Sequence, residues 1–332
     1  MFRGLLRRGR DGDRAVEADI ETPRPAIGRP SLGLALGGGA ARGFAHIGVL
    51  QTLLAHGLKP DVVTGTSIGA VVGGFYAAGQ LDMFRTWARE LTRRRVLGYL
   101  DVSFSGSGLI TGGRLARGLE SALGRTKIET LSTRFAAIAT EIDTGHEVWL
   151  TRGRLLEALR ASYALPGVFT PVRIGGRWLV DGALVNPVPV SATRALDARI
   201  VIGVNLNADL HGRGSTITGH GFDEDEERAN EAADAERGRR KRISAERLIR
   251  RQFVGRNGRP GIPTVMIEAY NVMQDRITRA RLAGDPADIM ITPRLGHIGW
   301  FEFHRAEEAI KLGVEAAERS LDSIAQAIKV LA

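Results

Sequence analysis

The strongest constraint on how this chain can fold is a pair of apolar runs, each ending in a glycine-rich turn that opens into a helix-spaced segment. Leu32 to Leu36 is broken by Gly37-Gly38-Gly39, and from Phe44 to Ala55 the apolar residues Ile47, Leu50 and Leu54 recur at helical spacing, with Gly57 as the stop. Pro60 introduces Val62-Val63, the turn Gly65-Thr66-Ser67-Ile68-Gly69 follows, and a second apolar helix runs through Ala78 to a stop at Gly79. Two strand-turn-helix units in succession predict an α/β fold with a mainly parallel central sheet covered by helices. Further strands are predicted at Phe135–Ala139, Trp178–Val180, Ile200–Val204 and Ile289–Ile291. Met266, Tyr270, Met273 and Ile277 are spaced as one helical face, and Phe303 to Leu331 reads as a terminal helix.

A chain of 332 residues gives this sheet room for a sizeable core. We expect residues 1–30 to be a basic leader and residues 31–325 to form the domain, with a charged insertion at about 207–261. In that insertion the acidic run Asp223–Glu227 precedes the basic run Arg239–Arg242. Arg3, Arg7, Arg8 and Arg10 crowd the N-terminus without the continuous apolar stretch of a secretory signal, and no run of about 18 apolar residues occurs. The expectation is a cytoplasmic protein. Its net charge of +9 favours anionic partners and permits peripheral contact with an anionic membrane surface. Nucleic acid is not expected, because aromatic residues are only 6% of the chain and no basic cluster is interleaved with them. The absence of cysteine removes a thiol nucleophile and any thiolate metal site.

Three chemistries compete for the glycine segment Gly37-Gly38-Gly39-Ala40-Ala41-Arg42-Gly43. A phosphate loop requires Lys and then Ser or Thr after its last glycine, whereas Gly43 is followed by Phe44 and Ala45. A dinucleotide fold asks for an acidic residue some 20 positions on, where this chain has Gly65-Thr66-Ser67. The third chemistry is an oxyanion hole, in which glycine lets the backbone approach substrate and amides before a helix point at developing negative charge. That reading needs a nucleophile, and the G-x-S-x-G of Gly65 to Gly69 offers Ser67 on a sharp strand-to-helix turn.

A serine needs a base. Of seven histidines, His46 and His56 fall on the first helix, His146 in a turn, His211 and His220 in the insertion, and His297 and His304 near the terminal helix. None has a diagnostic setting, and no H-E-x-x-H motif occurs. Asp181 is the other candidate. It follows the apolar run Trp178-Leu179-Val180 and precedes Gly182-Ala183 and the rigid Asn186-Pro187-Val188-Pro189, although an isolated Asp-Gly is an ordinary turn.

Taken in order, "LGLALGGGAARGFAHIGVL", "VVTGTSIGA", "ALRASYALPGVFTPV" and "LVDGALVNPVPV" resemble the patatin-like phospholipases, in the bacterial branch similar to the catalytic domain of neuropathy target esterase. The resemblance continues weakly into "DIMITPRLGHIGWFEFHRAEEAI" and covers most of residues 31 to 325 outside the insertion. It implies a three-layer patatin-like fold and a serine acyl hydrolase of phospholipid or lysophospholipid esters, working without metal or organic cofactor. It also implies a Ser-Asp dyad of Ser67 as nucleophile and Asp181 as base, with Gly65 and Gly69 framing the nucleophile elbow. The oxyanion hole would come from the amides of Gly38, Gly39 and Ala40. Relatives commonly carry a further glycine where this chain has Ala40, so a positive φ there would be strained. Arg42 matches the family's basic residue but is assigned no catalytic part. The alternatives are an α/β-hydrolase triad completed by His297 or His304, and a non-catalytic lipid-binding adaptor on the same scaffold. Oligomeric state is not legible in the sequence.

Overall fold

The computed structural model describes residues 29–99, 108–110, 113–210 and 261–331. The leader up to residue 28 and both charge runs of the insertion therefore lie outside the described residues.

One sheet organises the molecule. Its strands are β1 (Leu32–Leu36), β2 (Val62–Thr66), β4 (Arg134–Glu141), β5 (Glu147–Leu150), β7 (Val172–Ile174), β8 (Arg177–Asp181), β9 (Ile200–Val204) and β10 (Ile289–Ile291). They lie in the order β10-β9-β1-β2-β4-β8-β7, with β5 also pairing to β4. A separate two-stranded pair joins β3 (Gly108–Ile110) to β6 (Gly167–Phe169). The helices are α1 (Ala45–Ala55), α2 (Ile68–Ala77), α3 (Leu81–Arg89), α4 (Arg93–Tyr99), α5 (Gly113–Leu123), α6 (Leu155–Ser162) and α7 (Val190–Ala195), followed by α8 (Ile262–Gly284), α9 (Ala306–Glu318) and α10 (Leu321–Leu331).

Why β1 and β9 read as unbroken apolar runs is visible in where their side chains go. Leu32, Leu34 and Leu36 enter one core with Ile200, Ile202 and Val204, while Ala35 and Val201 enter a second core with Val188, Val190 and Ala198. Alternate residues of a strand face opposite sides, so a strand covered on both faces must be apolar throughout. Gly33 and Gly203 stand on the second face, where a Cβ on Gly33 would meet Thr193 and Ala198 at 2.4 Å.

The sheet is mixed and mainly parallel, as expected. From β10 through β4 the neighbours run parallel, but β5 and β8 are antiparallel to β4, and β7 is antiparallel to β8. One expectation is corrected. The terminal segment is not one helix, because a short turn at Phe303–Arg305 leads into α9, which ends before α10 begins. On α8 the buried stripe is Tyr270, Asn271, Gln274 and Thr278, whereas Met266 and Met273 are exposed. Of the predicted apolar set Tyr270 is thus buried, and polar side chains complete the inner face.

Helices α1 and α9 meet backbone to backbone. A Cβ on Gly48 would lie 2.0 Å from the carbonyl oxygen of Ile310, and one on Gly313 would lie 2.0 Å from that of Ala45. This contact fixes the helix that leaves the glycine-rich turn.

Candidate active site

Strand β2 ends at Thr66, and Ser67 turns the chain into α2 with φ 56° and ψ −124°. A non-glycine residue at such angles is strained and persists only where its surroundings hold it. Here the surroundings are close. A Cβ on Gly65 would sit 2.4 Å from the nitrogen of Ala70, and one on Gly69 would sit 2.1 Å from the carbonyl oxygen of Leu36. The amide of Ser67 donates to Ser162 Oγ at 2.9 Å, and Ser162 in turn donates to the Ile138 carbonyl at 2.6 Å. The serine backbone is thus tied through α6 to the middle of β4.

Asp181 is the last residue of β8 and pairs with Ala139 of β4. The chain then crosses the top of β4, where a Cβ on Gly182 would strike the Ile138 carbonyl oxygen at 2.3 Å. That close crossing brings the carboxylate toward Ser67 across an intervening strand. Ser67 Oγ donates to Asp181 Oδ2 at 2.7 Å, and the Ala183 amide donates to Oδ1 at 2.9 Å. Only 2% of Asp181 is exposed. Burial pushes its pKa up to about 6, against the pull of hydrogen bonds that favour the ionised form.

The glycine-rich turn is held group by group. Gly37 donates its N–H to the Val204 carbonyl at 3.0 Å, and its own carbonyl accepts from His46 Nε2 at 2.8 Å. His46 is fully buried, which pushes its pKa down to about 4 and keeps the ring neutral. The Gly38 amide, expected to face the substrate, instead donates to the Pro187 carbonyl at 3.0 Å. Among the described residues, the amides of Gly39 and Ala40 have no such acceptor, and both residues line the cavity that contains Ser67. Ala40 has φ 49°, the left-handed backbone that the missing glycine would have relieved.

Arg42 is buried and binds the turn from behind. Its Nε donates to the Gly39 carbonyl at 3.2 Å, its Nη2 to Asn271 Oδ1 at 3.3 Å, and its guanidinium lies 5.9 Å from the Trp300 ring centre. Burial lowers its pKa to about 10, so the group remains a cation at neutral pH. Asn271 also accepts from Trp300 Nε1 at 2.7 Å, while Asn207 Nδ2 reaches both the Gly38 carbonyl at 3.3 Å and Gln274 Oε1 at 3.0 Å. The buried polar stripe of α8 therefore holds the carbonyl side of the glycine turn.

Ser67, Asp181, Tyr270 and Gln274 share a cavity whose remaining wall is largely aromatic and aliphatic, including Phe44, Phe84, Phe169, Trp300 and Phe303. Among the described residues no histidine lines it. His297 pairs with Glu308 at 2.8 Å, and His304 receives a hydrogen bond from Arg93. Sequence reasoning did not single out Ser162, His46, Tyr270 or Gln274. Ser162 lay within "ALRASYALPGVFTPV", but nothing local marked it as the partner of a residue 95 positions away.

A carboxylate accepting the proton of a strained serine, beside two amides without acceptors, is the arrangement for acyl transfer. The model of the patatin-like phospholipase family matches residues 34–194. An uncharacterized NTE family protein of Mycobacterium tuberculosis is 33% identical over 335 residues, spanning 89% of this chain and 92% of that protein. Lysophospholipase NTE1 of Yarrowia lipolytica is 33% identical over 186 residues, which are 54% of this chain and 13% of the fungal protein. The solved structure of VipD from Legionella pneumophila aligns over 89% of this chain and 67% of its own, with 12% identity and a TM-score of 0.45.

Proposed function

The chain belongs to the patatin-like phospholipase family, in its NTE branch, and is a lipid ester hydrolase; from that premise we propose that it cleaves fatty-acyl esters of phospholipids or lysophospholipids through a Ser67–Asp181 dyad and an acyl-enzyme. The observation that carries this reading is the 2.7 Å hydrogen bond from Ser67 Oγ to Asp181 Oδ2 inside a largely apolar cavity.

As Ser67 Oγ attacks the ester carbonyl carbon, its proton passes to Asp181. An ordinary aspartate, with a pKa near 4, is a feeble base, and burial raises that of Asp181 to about 6 while leaving it ionised at neutral pH. The carbonyl oxygen becomes an oxyanion facing the amides of Gly39 and Ala40. The first turn of α2, which starts at Ile68, adds the positive end of its dipole. When the tetrahedral intermediate collapses, the C–O bond to the alcohol breaks and the alcohol leaves with the proton held by Asp181. Asp181, again a carboxylate, then takes a proton from water. The resulting hydroxide attacks the acyl-Ser67 carbonyl, and the fatty acid departs as Ser67 recovers its proton.

The reading is tested with Ser67→Ala, which removes one hydroxyl from the turn and leaves the core intact. Fluorophosphonate labelling and hydrolysis of a lysophospholipid and phospholipid panel should both vanish while the circular dichroism spectrum stays unchanged. Undiminished hydrolysis in this variant would reject Ser67 as the nucleophile.

A further inference from the structure

The Tyr270 hydroxyl is buried beside Asp181 and Gln274 without completing a well-formed hydrogen bond to either. Leaving a buried hydroxyl without a partner is costly, and few native groups are left so without a reason. The ring is not loose. It packs edge-on against Trp300 with centroids 5.4 Å apart and joins Ala183 in one buried cluster. The tyrosine is therefore fixed against Ala183, two residues after Asp181, and lines the same cavity as Ser67.

The groups that face the Asp181 carboxyl are the Ser67 hydroxyl, the Ala183 amide and Tyr270, and none of them is a charged side chain. Asp181 already receives hydrogen bonds from Ser67 and Ala183, one on each oxygen. Burial together with the neighbouring carboxylate holds the Tyr270 pKa well above its ordinary value, so the phenol stays protonated and can only offer its hydrogen. A donor held in place beside the proton carrier, with no well-formed hydrogen bond in the protein, is suited to an acceptor that arrives with the substrate.

We propose that Tyr270 is a further catalytic residue, whose hydroxyl donates a hydrogen bond to the alcohol oxygen of the ester as the acyl group moves to Ser67. This inference rests on the dyad reading above. In acylation the bond between carbonyl carbon and alcohol oxygen breaks, and that oxygen takes the proton that Asp181 received from Ser67. The leaving oxygen must therefore come to the Asp181 side of the cavity, where Tyr270 stands. Tyr270 keeps its own proton and stabilises negative charge on the oxygen before the transfer is complete. The same contact favours substrates whose leaving group is an aliphatic alcohol, such as the glycerol oxygen of a glycerolipid, because an aliphatic alkoxide is a poor leaving group without help.

The experiment compares wild type with Tyr270→Phe on two esters of one fatty acid, a lysophospholipid and a nitrophenyl ester. A hydrogen bond to an oxygen that gains charge is worth roughly 1.5–3 kcal/mol. The kcat/KM for the lysophospholipid should accordingly fall about 10- to 100-fold, while that for the nitrophenyl ester, whose leaving group is already stable, should change less than about threefold. Equal losses on both esters, or no loss on either, would overturn the proposal. The melting temperature should change little, since the hydroxyl completes no well-formed hydrogen bond in the fold; a fall of several degrees would also overturn it. Fluorophosphonate labelling is run on both proteins in parallel. Failure of wild type to label at Ser67 would reject the dyad itself, whereas labelling of both proteins with equal ester losses would reject Tyr270 alone.

Discussion

In the proposed dyad, Asp181 carries opposing demands from stability and catalysis. Its carboxyl is raised from 3.8 to about 6 in the folded protein, so the native state holds a proton that the unfolded chain gives up between those values. The associated stability is present below pH 3.8 and is lost as pH rises through about 6, a cost of about 3 kcal/mol for a shift of this size. Catalysis runs the other way, because only the ionised form accepts the serine proton. We therefore expect kcat/KM to fall as pH drops through about 6. Asp181→Asn should lower turnover at least 1000-fold, while His297→Ala and His304→Ala stay near wild type. The Asn variant should also gain stability over wild type as pH rises from 4 to 7, read by urea denaturation at each pH. A folded histidine variant as inactive as Asp181→Asn would replace the dyad with a triad. At this scale, Ser67 and Asp181 could be singled out from sequence because glycine and proline punctuate the chain around them. Ser162 and Tyr270 could not, since each meets a residue brought near only by tertiary packing.

Among the elements, the crossing of α1 and α9 is the least forgiving. Gly313→Ala would drive a methyl into the Ala45 carbonyl, so the two backbones must separate, and we expect a loss of about 3 kcal/mol in urea denaturation. The same substitution at Gly118 on α5 meets nothing within 4 Å and should instead add about 0.5–1 kcal/mol. Equal effects at the two sites would mean that helix propensity, not close approach, governs both. Strands β9 and β10 were read from the sequence with their observed limits because they are short, wholly apolar and bounded by turn residues. The direction of β8 was not legible. A buried apolar run looks the same whichever way it enters the sheet, and only its pairing with β4 shows it to be antiparallel. Which face of α8 turns inward was not legible, because periodicity counts apolar side chains, whereas the inner face is held by hydrogen bonds that Asn271 and Gln274 accept from Arg42 and Asn207.

For the whole molecule, the question is how a lipid ester hydrolase meets its substrate. None of the described helices is long and apolar enough to cross a bilayer, and the net charge is +9. We expect reversible binding to anionic vesicles, with each arginine near the surface contributing roughly 1 kcal/mol and salt weakening the sum. Co-sedimentation at low and high salt, with the full chain and with residues 1–25 removed, measures it; equal binding to neutral and anionic vesicles would refute the electrostatic account. The sheet order carries one more consequence. Ser67 and Asp181 both lie within residues 34–194, yet β1, the strand that leads into the glycine turn, is flanked on one side by β9 at Ile200–Val204. A fragment cut at Arg194 would keep both reactive side chains but turn β1 into a bare edge, with its backbone N–H and C=O groups open to any other extended chain. Such a piece would be a template for aggregation, and the strand that completes the sheet is also the one that keeps the enzyme from sticking to copies of itself.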